Sequence, residues 1–404
     1  LQAINTQDIA KGLTQDSLYI DFAKTNDGYY LFTIDHNNSI SFTAYSEKDS
    51  NAIDAKITAF QSKMQAISKD PSLINTDNET KQTLGELYQL IFNPALLAKI
   101  ADKQNLIISP DGALRLLPFE ALFNEEASEY LIESKKIRYI ASGKELVRLF
   151  RQNKNKVSNQ KKAVLFANPD FGGKPSKAAP SRGAAVAYIP NTSDANTLNL
   201  LESLGRQFSP LPATKTEVDA IAKEIPHQPT KEGKDANKAN LLQVKQPNIL
   251  HIATHGFFLE NIPNPMLKSG LILAGANIRL KNHSSDGIVT ALDLSGLDLK
   301  GTDLVVLSAC NTGKVDPEHT DGISGLSKSF IQAGAKDVVM SLWSVSDNGT
   351  ATLMKAFYKQ GIKDKQYAQA LRESKLNMLY SGTDAEDGKY THPYYWSAFV
   401  LSGL

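Results

Sequence analysis

One histidine and one cysteine in this sequence each lie at the end of a buried apolar run, and together they could carry out nucleophilic catalysis. Cys310 is the only cysteine in 404 residues and ends the run DLVVLSAC. His255 lies at the end of the run ILHIATHG, 55 positions earlier (310 − 255). A thiol at neutral pH is a weak nucleophile, which a neighbouring histidine can activate as base or as imidazolium partner. The pair predicts acyl-transfer chemistry if the two strands are neighbours.

The position of Cys310 favours a catalytic role, whereas its residue type leaves a structural role open. The run Leu304–Leu307 is apolar and rich in β-branched residues, and a turn cluster, Asn311–Gly313, follows the cysteine. This pattern is typical of an inner parallel strand that runs into a loop, and ligands of open α/β sheets bind at such strand ends. A free cysteine is, however, also a common small residue of protein cores.

Gly256 extends the candidate site, because a glycine after the histidine lets a backbone N–H approach a substrate carbonyl. The N–H groups of Gly256 and Cys310 could together form an oxyanion hole, which contributes several kcal/mol to an acyl transfer. We expect no metal and no cofactor. His251 and His255 are four positions apart, as in HExxH, but HIATH lacks the glutamate and is predicted to be a strand. His251 is instead expected to pack or to hydrogen-bond inside the sheet.

Strands and helices alternate in the second half of the chain. This alternation predicts an α/β fold with a mostly parallel sheet and helices on both of its faces. The predicted strands lie within Ala163–Gly173, Ile249–Gly256, Asp303–Cys310, Asp337–Trp343 and Tyr395–Gly403, and the predicted helices within Thr214–Glu224, Gly325–Gly334 and Ala351–Leu379.

The first part of the chain shows an antiparallel pattern. Three strand-like runs are joined by short turns, and two helical stretches follow, the second interrupted by Pro94. The polar run Arg151–Lys162 is typical of a boundary. We predict an α+β N-terminal half, residues 1–160, and an α/β C-terminal half, residues 161–404, with polar loops at Lys174–Leu198 and His227–Lys238. The three strand-like runs are Ser17–Ala23, Tyr29–Asp35 and Ser39–Tyr45, and the helical stretches are Asn51–Ser68 and Thr80–Ile100.

The composition is that of an ordinary soluble globular protein, with 41% hydrophobic and 22% charged residues. A formal net charge of +1 gives no overall field for nucleic acid or for an anionic membrane, so we expect neither as a partner. No apolar run approaches the roughly 20 residues that span a bilayer. The single cysteine excludes an intrachain disulfide framework and is compatible with a reducing cytoplasm. On the cysteine usage we expect a cytoplasmic location. Since the chain begins at Leu1 with no methionine, signal peptide or basic leader, we expect a fragment of a longer protein, so that a targeting signal could lie outside this sequence.

Six motifs along the chain are specific as a set, although none is decisive alone. They are NLIISPDGALRLLPFEALF (Asn105–Phe123), ILHIATHG, SGLILAGA (Ser269–Ala276), DLVVLSACNTG, GISGLSKSFIQAGAKDVVMSLWSVSD (Gly322–Asp347) and HPYYWSAFVLSG (His392–Gly403). Together they strongly resemble the CHAT domain, a caspase-like module usually found behind tetratricopeptide repeats and related more distantly to separases. The resemblance extends from about residue 13 to the end, and it implies a caspase-type fold whose first half is non-catalytic.

The resemblance also implies a cysteine endopeptidase, because both members of the family's dyad are present. The family's histidine falls on His255, its cysteine on Cys310 and the glycine after the histidine on Gly256. One departure from true caspases is that Ser308 and Ala309 precede the cysteine, where caspases have Gln-Ala. No counterpart of the arginines that select aspartate is evident, so the resemblance does not imply aspartate specificity.

The segment SLWSVSD, Ser341–Asp347, follows a predicted strand at the place where the resemblance puts a substrate-binding loop. Trp343 and Ser344 could line the cleft, the tryptophan as an apolar wall. Asp347 could contact a basic residue of the substrate or cap the helix that begins near Asn348.

Two functional hypotheses follow from these observations. The first is a cysteine protease that cuts one or a few protein partners, controlled by upstream tetratricopeptide repeats or a regulatory protein and activated by a partner or signal in a bacterial defence or cell-death type of pathway. The second is a catalytically silent module that relays a signal through its conformation. The intact pair of His255 and Cys310 favours the first, since a silent module needs neither.

Overall fold

One sheet of 13 strands passes through both halves of the chain in the computed structural model, which describes residues 4–153, 162–172, 208–259, 264–281, 287–310, 321–361, 366–380 and 390–403. In these ranges the strands are β1 (Ser17–Thr25), β2 (Gly28–Asp35), β3 (Ile40–Ala44), β4 (Asn105–Ser109), β5 (Phe123–Asn124), β6 (Glu129–Tyr130), β7 (Lys136–Tyr139), β8 (Val164–Pro169), β9 (Lys231–Gly233), β10 (Ile249–Phe258), β11 (Ser269–Ile272), β12 (Ile288–Thr290), β13 (Leu304–Cys310), β14 (Asp337–Ser341) and β15 (Phe399–Gly403).

Helices cover both faces of this sheet. They are α1 (Thr6–Ala10), α2 (Glu47–Lys69), α3 (Glu79–Ile91), α4 (Pro94–Ile100), α5 (Leu131–Ser134), α6 (Gly143–Asn153), α7 (Pro212–Ala222), α8 (Lys238–Leu242), α9 (Ala276–Lys281), α10 (Ala291–Ser295), α11 (Asp321–Ala333), α12 (Asp347–Gly361), α13 (Tyr367–Tyr380) and α14 (Pro393–Trp396). Short 3-10 helices span Pro71–Thr76, Gly112–Leu116, Phe119–Ala121 and Pro265–Leu267. No helix among the described residues combines the length and apolarity that crossing a membrane requires.

The strand order is β12-β11-β10-β13-β14-β15-β7-β4-β1-β2-β3, and β8 joins β10 to β9 beside this path. The other two strands, β5 and β6, form a separate two-stranded sheet. The strands β8, β10, β13 and β14 are parallel, as the alternation of strands and helices predicts. The last strand, β15, is antiparallel to β14, and the predicted strand Tyr395–Gly403 is wrong in its first residues, which end a short helix. The hydrogen bond from the Ser397 N–H to the Pro393 carbonyl ends this helix, so extended backbone begins only after it.

The N-terminal half contains the predicted antiparallel meander of β1, β2 and β3. The predicted interruption at Pro94 is also confirmed, because α3 ends at Ile91 and α4 begins at Pro94. Proline suits the first position of a helix, where its missing N–H would have no helical partner. The Asn93 side chain caps α4 by accepting a hydrogen bond from the Leu96 N–H at 3.0 Å.

The prediction of a polar loop at His227–Lys238 is wrong in its middle, although loop and turn residues flank that part. Lys231–Gly233 forms β9, which pairs with β8 in parallel, and Ala236 is fully buried. The sequence gives no strand signal here because β9 is a short edge strand. Its backbone hydrogen bonds to β8, rather than buried apolar side chains, hold it in place. The other predicted loop, Lys174–Leu198, lies outside the described residues.

The two predicted halves share the sheet. Ser402 of β15 pairs with Tyr139 of β7 in parallel, and this bridge joins the strands of the C-terminal half to those of the N-terminal half. Beside it, Arg138 Nη1 lies 3.3 Å from Oδ1 of the buried Asp337. The division into residues 1–160 and 161–404 stays a prediction about folding units, and residues 154–161 lie outside the described ranges.

The buried Asp337 predicts a pH dependence of stability. Burial, and secondarily the charge of Asp303, raise the pKa of Asp337 from 3.8 to about 7, although Arg138 lowers it. The folded protein therefore binds a proton at Asp337 more tightly than the unfolded chain does. The stability that this proton contributes is fully present below about pH 4 and is lost as the pH rises through 7. The loss amounts to at most about 4 kcal/mol, since each pKa unit is worth about 1.4 kcal/mol.

We expect Asp337→Asn to remove most of this decline, which urea unfolding at pH 5 and pH 8 measures. Asp27→Asn, in the exposed turn between β1 and β2, is the matched control and should keep the wild-type decline. A variant at position 337 whose free energy of unfolding falls with pH as steeply as that of the wild type contradicts the prediction.

Candidate active site

The two candidate catalytic residues are direct register partners on neighbouring strands. β10 and β13 are parallel, and their pairing runs from Ile249 with Leu304 to His255 with Cys310. The predicted adjacency of the two strands is confirmed. Parallel strands in register bring both residues to the same carboxyl edge of the sheet, where the backbones of the pair lie about 5 Å apart. Of Cys310 the structure describes the backbone, and residues 311–320 lie outside the described ranges.

His255 lies in an aromatic cradle. Its side chain is buried, with the ring of Phe171 at 5.2 Å and that of Phe208 at 5.7 Å between centroids. Its Nε2 is 2.8 Å from the carbonyl oxygen of Ser209. A carbonyl only accepts, so Nε2 carries the proton and donates it, and Nδ1 is the basic nitrogen of the neutral ring. The cradle thus fixes both the orientation and the tautomer of the imidazole.

A buried polar network surrounds His251, which lies four residues before His255 and therefore on the same face of β10. Glu217 of α7 reaches two strands, because its Oε2 accepts a hydrogen bond from Ser308 Oγ at 3.1 Å and its Oε1 lies 3.3 Å from His251 Nε2. Nδ1 of His251 is 3.0 Å from the Tyr358 hydroxyl. The expectation that His251 hydrogen-bonds inside the sheet is confirmed. The network ties α7 to both strands that carry the dyad residues.

The segment after β14 is more firmly held than a mobile substrate loop would be. Trp343 is 1% exposed, its ring packs edge-on against Phe60 of α2 at 5.5 Å, and its Nε1 donates to the Tyr394 carbonyl at 2.9 Å. The Tyr394 hydroxyl donates to the Ser344 carbonyl at 2.7 Å. In this conformation Trp343 is a core residue that joins the two halves and presents no wall to a cleft.

The helix α12 begins at Asp347 itself and is capped one residue earlier. The Ser346 hydroxyl accepts a hydrogen bond from the Gly349 N–H at 3.3 Å, and the Ser346 carbonyl accepts one from the Thr350 N–H at 2.9 Å. The alternative in which Asp347 caps this helix is therefore wrong, because Ser346 fills that position. Nothing is described of the Asp347 side chain. Substrate contact by Trp343, Ser344 and Asp347 stays a prediction.

Sequence reasoning did not identify the groups that surround His255. Phe171 and Phe208 lie far from His255 in the chain, and the contact from Ser209 comes from a backbone carbonyl, which has no sequence signature. Glu217 lies in α7, and the spacing of apolar residues that predicts this helix does not show which strands a glutamate within it contacts. Among the described residues no group of three or more His, Cys, Asp or Glu side chains could hold a metal ion.

Comparison with known protein families gives a match over most of the chain. The family model of the CHAT domain matches residues 81–404. Among curated proteins, tetratricopeptide repeat protein 28 of Homo sapiens is 25% identical over 354 residues, and that of Mus musculus is 24% identical over 356 residues. Each of these alignments covers 80% of this chain and 13% of the relative, so the chain spans about one eighth of the relatives' length.

Solved structures share the fold at low sequence identity. The crystal structure of the Saccharomyces cerevisiae separase–securin complex at 2.6 Å resolution matches with a TM-score of 0.51 and 12% identity, over 99% of this chain and 31% of that chain. A second structure of the complex, at 3.0 Å resolution, gives 0.51 and 11%, over 99% and 30%. At this identity the likeness concerns the fold alone, and it agrees with a caspase-like α/β architecture.

Proposed function

Because this chain belongs to the CHAT domain family, we propose that it is a caspase-like cysteine endopeptidase that cuts a protein partner through His255 and Cys310. The observation that carries the proposal is the register pairing of these residues, which is the last pair at the carboxyl end of the parallel ladder between β10 and β13. The hydrogen bond from His255 Nε2 to the Ser209 carbonyl supports it, because it leaves the basic nitrogen, Nδ1, for the thiol.

The proposed reaction divides peptide-bond hydrolysis into two acyl transfers. His255 Nδ1 takes the proton of the Cys310 thiol, and the thiolate attacks the scissile carbonyl to form a tetrahedral intermediate. The backbone N–H groups of Gly256 and Cys310 donate to its oxyanion. The C–N bond then breaks, and the leaving amine takes the proton from the imidazolium. Water, deprotonated by His255, hydrolyses the thioester, which releases the carboxylic acid and restores the thiol.

The substrate in this proposal is a protein segment that lies across the carboxyl edge of β10 and β13. Ser344 and Asp347 are the candidates for contacting it, with Trp343 supporting the loop from within the core. Control falls to upstream tetratricopeptide repeats or to a regulatory protein, which would activate the enzyme on a signal in a cytoplasmic defence or cell-death type of pathway. The repeats enter the proposal through the relatives' printed name.

A proteome-wide comparison of newly formed N-termini tests the proposal. Two samples are incubated with a host lysate: the purified chain by itself, and the full-length protein together with its activator. Cys310→Ala serves as the matched control in each. We expect a small set of new N-termini with the wild type and none with the variant, and a higher rate with the activator. Equal cleavage rates in the isolated chain and in the activated full-length protein contradict activation by a partner.

A full set of cleavages by Cys310→Ala contradicts the catalytic assignment. The absence of any cleavage with the activated wild type favours the catalytically silent signalling module instead.

A further inference from the structure

The motif SGLILAGA leads into a buried side chain that reaches the cradle of His255. Asn277 follows the motif directly, is 5% exposed and lies in α9. The same loop makes two backbone hydrogen bonds to its surroundings, from the Ala274 N–H to the Ala236 carbonyl and from the Gly275 N–H to the Asp170 carbonyl, both at 2.8 Å. The loop is thus a fixed part of the structure from which Asn277 can hold other residues.

Asn277 holds both aromatic residues of the cradle by their backbones. Its side-chain Oδ1 accepts a hydrogen bond from the Phe208 N–H at 2.7 Å, and its Nδ2 donates to the Phe208 carbonyl at 2.9 Å. Its own backbone N–H donates to the Phe171 carbonyl at 2.8 Å. The side-chain amide of Asn277 thus pairs with the N–H and the carbonyl of Phe208, as the backbone of a neighbouring strand would. It fixes the peptide groups on both sides of Phe208 and, with them, the start of the next residue, Ser209.

We propose that Asn277 is a positioning residue of the dyad, which holds the Phe208–Ser209 backbone so that the Ser209 carbonyl accepts the hydrogen bond from His255 Nε2–H. The inference rests on the proposed function. Asn277 acts through the peptide groups on both sides of Phe208, which lead directly to the Ser209 carbonyl that orients the imidazole.

The Ser209 carbonyl should favour the charged form of His255. A carbonyl that accepts a hydrogen bond from an imidazole N–H binds the imidazolium more strongly than the neutral ring. The imidazolium in turn stabilises the Cys310 thiolate and lowers the thiol pKa below its ordinary value of about 8.5. Loss of Asn277 should therefore weaken the ion pair and raise the pH at which the thiolate forms.

The rate of alkylation of Cys310 by iodoacetamide as a function of pH measures this effect without a substrate. Since Cys310 is the only cysteine, the reaction reports on one site. We expect a midpoint below about 8 in the wild type and a rise of about one pH unit in Asn277→Ala, because the Ser209 carbonyl then loses its alignment with His255 Nε2. Asn277→Asp, which keeps the acceptor but loses the donor, should also raise the midpoint.

The matched control is Asn93→Ala, which removes the cap of α4 in the N-terminal half and lowers stability without reaching the cradle. Its alkylation midpoint should equal that of the wild type. The thermal midpoint of every variant is measured in parallel, so that a variant that does not fold is recognised and Asn277→Asp replaces Asn277→Ala.

A perturbed wild-type midpoint that both Asn277 variants retain overturns the positioning role and leaves the dyad intact. A wild-type midpoint near 8.5 overturns the dyad and, with it, this inference. A midpoint that rises equally in Asn93→Ala also overturns the positioning role, because stability alone would then explain the shift.

Discussion

Cys310→Ala and His255→Ala should each lower peptide-bond cleavage by at least about 1,000-fold, and the double variant should be scarcely slower than either single one. Groups of a catalytic unit are strongly non-additive, because each is useful only while its partner is present. His255 cannot deprotonate a missing thiol, and Cys310 without its base stays mostly protonated at neutral pH. The measurement is the initial rate of cleavage of the partner protein identified from its new N-termini.

His227→Ala is the matched control for the histidine, since this residue makes a local contact with the Ile225 carbonyl and lies outside the cradle. It should cleave at the wild-type rate. A thiol alkylator should inhibit the wild type in proportion to the labelling of Cys310, whereas a metal chelator should leave the rate unchanged. Cleavage that survives Cys310→Ala, or that the chelator removes, would rule out a cysteine protease.

The adjacency of the strands that carry His255 and Cys310 could be predicted from sequence, because it depends on patterns that are local along the chain. Each run of apolar residues up to His255 or Cys310 predicts a buried strand, and parallel strands share an edge. The exact register of the pair could not be predicted, since it depends on how the intervening helices pack. The orienting groups could not be predicted either. Ser209 acts through its backbone, and Asn277 is one amide among many polar residues.

The fold class could be predicted for the same local reason, whereas the joining of the halves could not. Alternating strands and helices indicate a parallel sheet, and short turns between strands indicate a meander. The bridge between β15 and β7 depends on two strands separated by most of the chain. The contacts of Trp343 could not be predicted either, because its ring packs on Phe60 and its Nε1 donates to the Tyr394 carbonyl, and both partners lie far from it in the chain or act through the backbone.

The C-terminal half, residues 161–404, should be insoluble or poorly folded when it is expressed alone. Its α13 carries Lys375, whose side chain is 1% exposed and pairs at 3.0 Å with Glu120 of the N-terminal half, whose side chain is 6% exposed. Removing one partner of a buried ion pair costs about 3–5 kcal/mol. The separated half would also expose the face of Trp396 that packs against Tyr130 at 5.1 Å between ring centroids. Together these losses are comparable to the whole stability of a typical domain, about 5–15 kcal/mol.

Coexpression of residues 1–160 with residues 161–404 distinguishes two reasons why the C-terminal half alone would fold poorly. One is that it lacks its contacts with the N-terminal half, and the other is that the chain was divided at an unsuitable residue. We expect the two fragments to copurify as a folded complex, because every contact that the cut removes is non-covalent and the boundary run Arg151–Lys162 is polar. The soluble yield and the thermal midpoint of the complex, compared with those of the intact chain, are the measurements. If residues 161–404 alone were soluble, cooperatively folded and as reactive at Cys310 as the intact chain, the N-terminal half would not be needed to form the site. Thiol reactivity that appears only when both fragments are present would instead show that contact between the halves, which includes the ion pair of Lys375 with Glu120, is required to form the site.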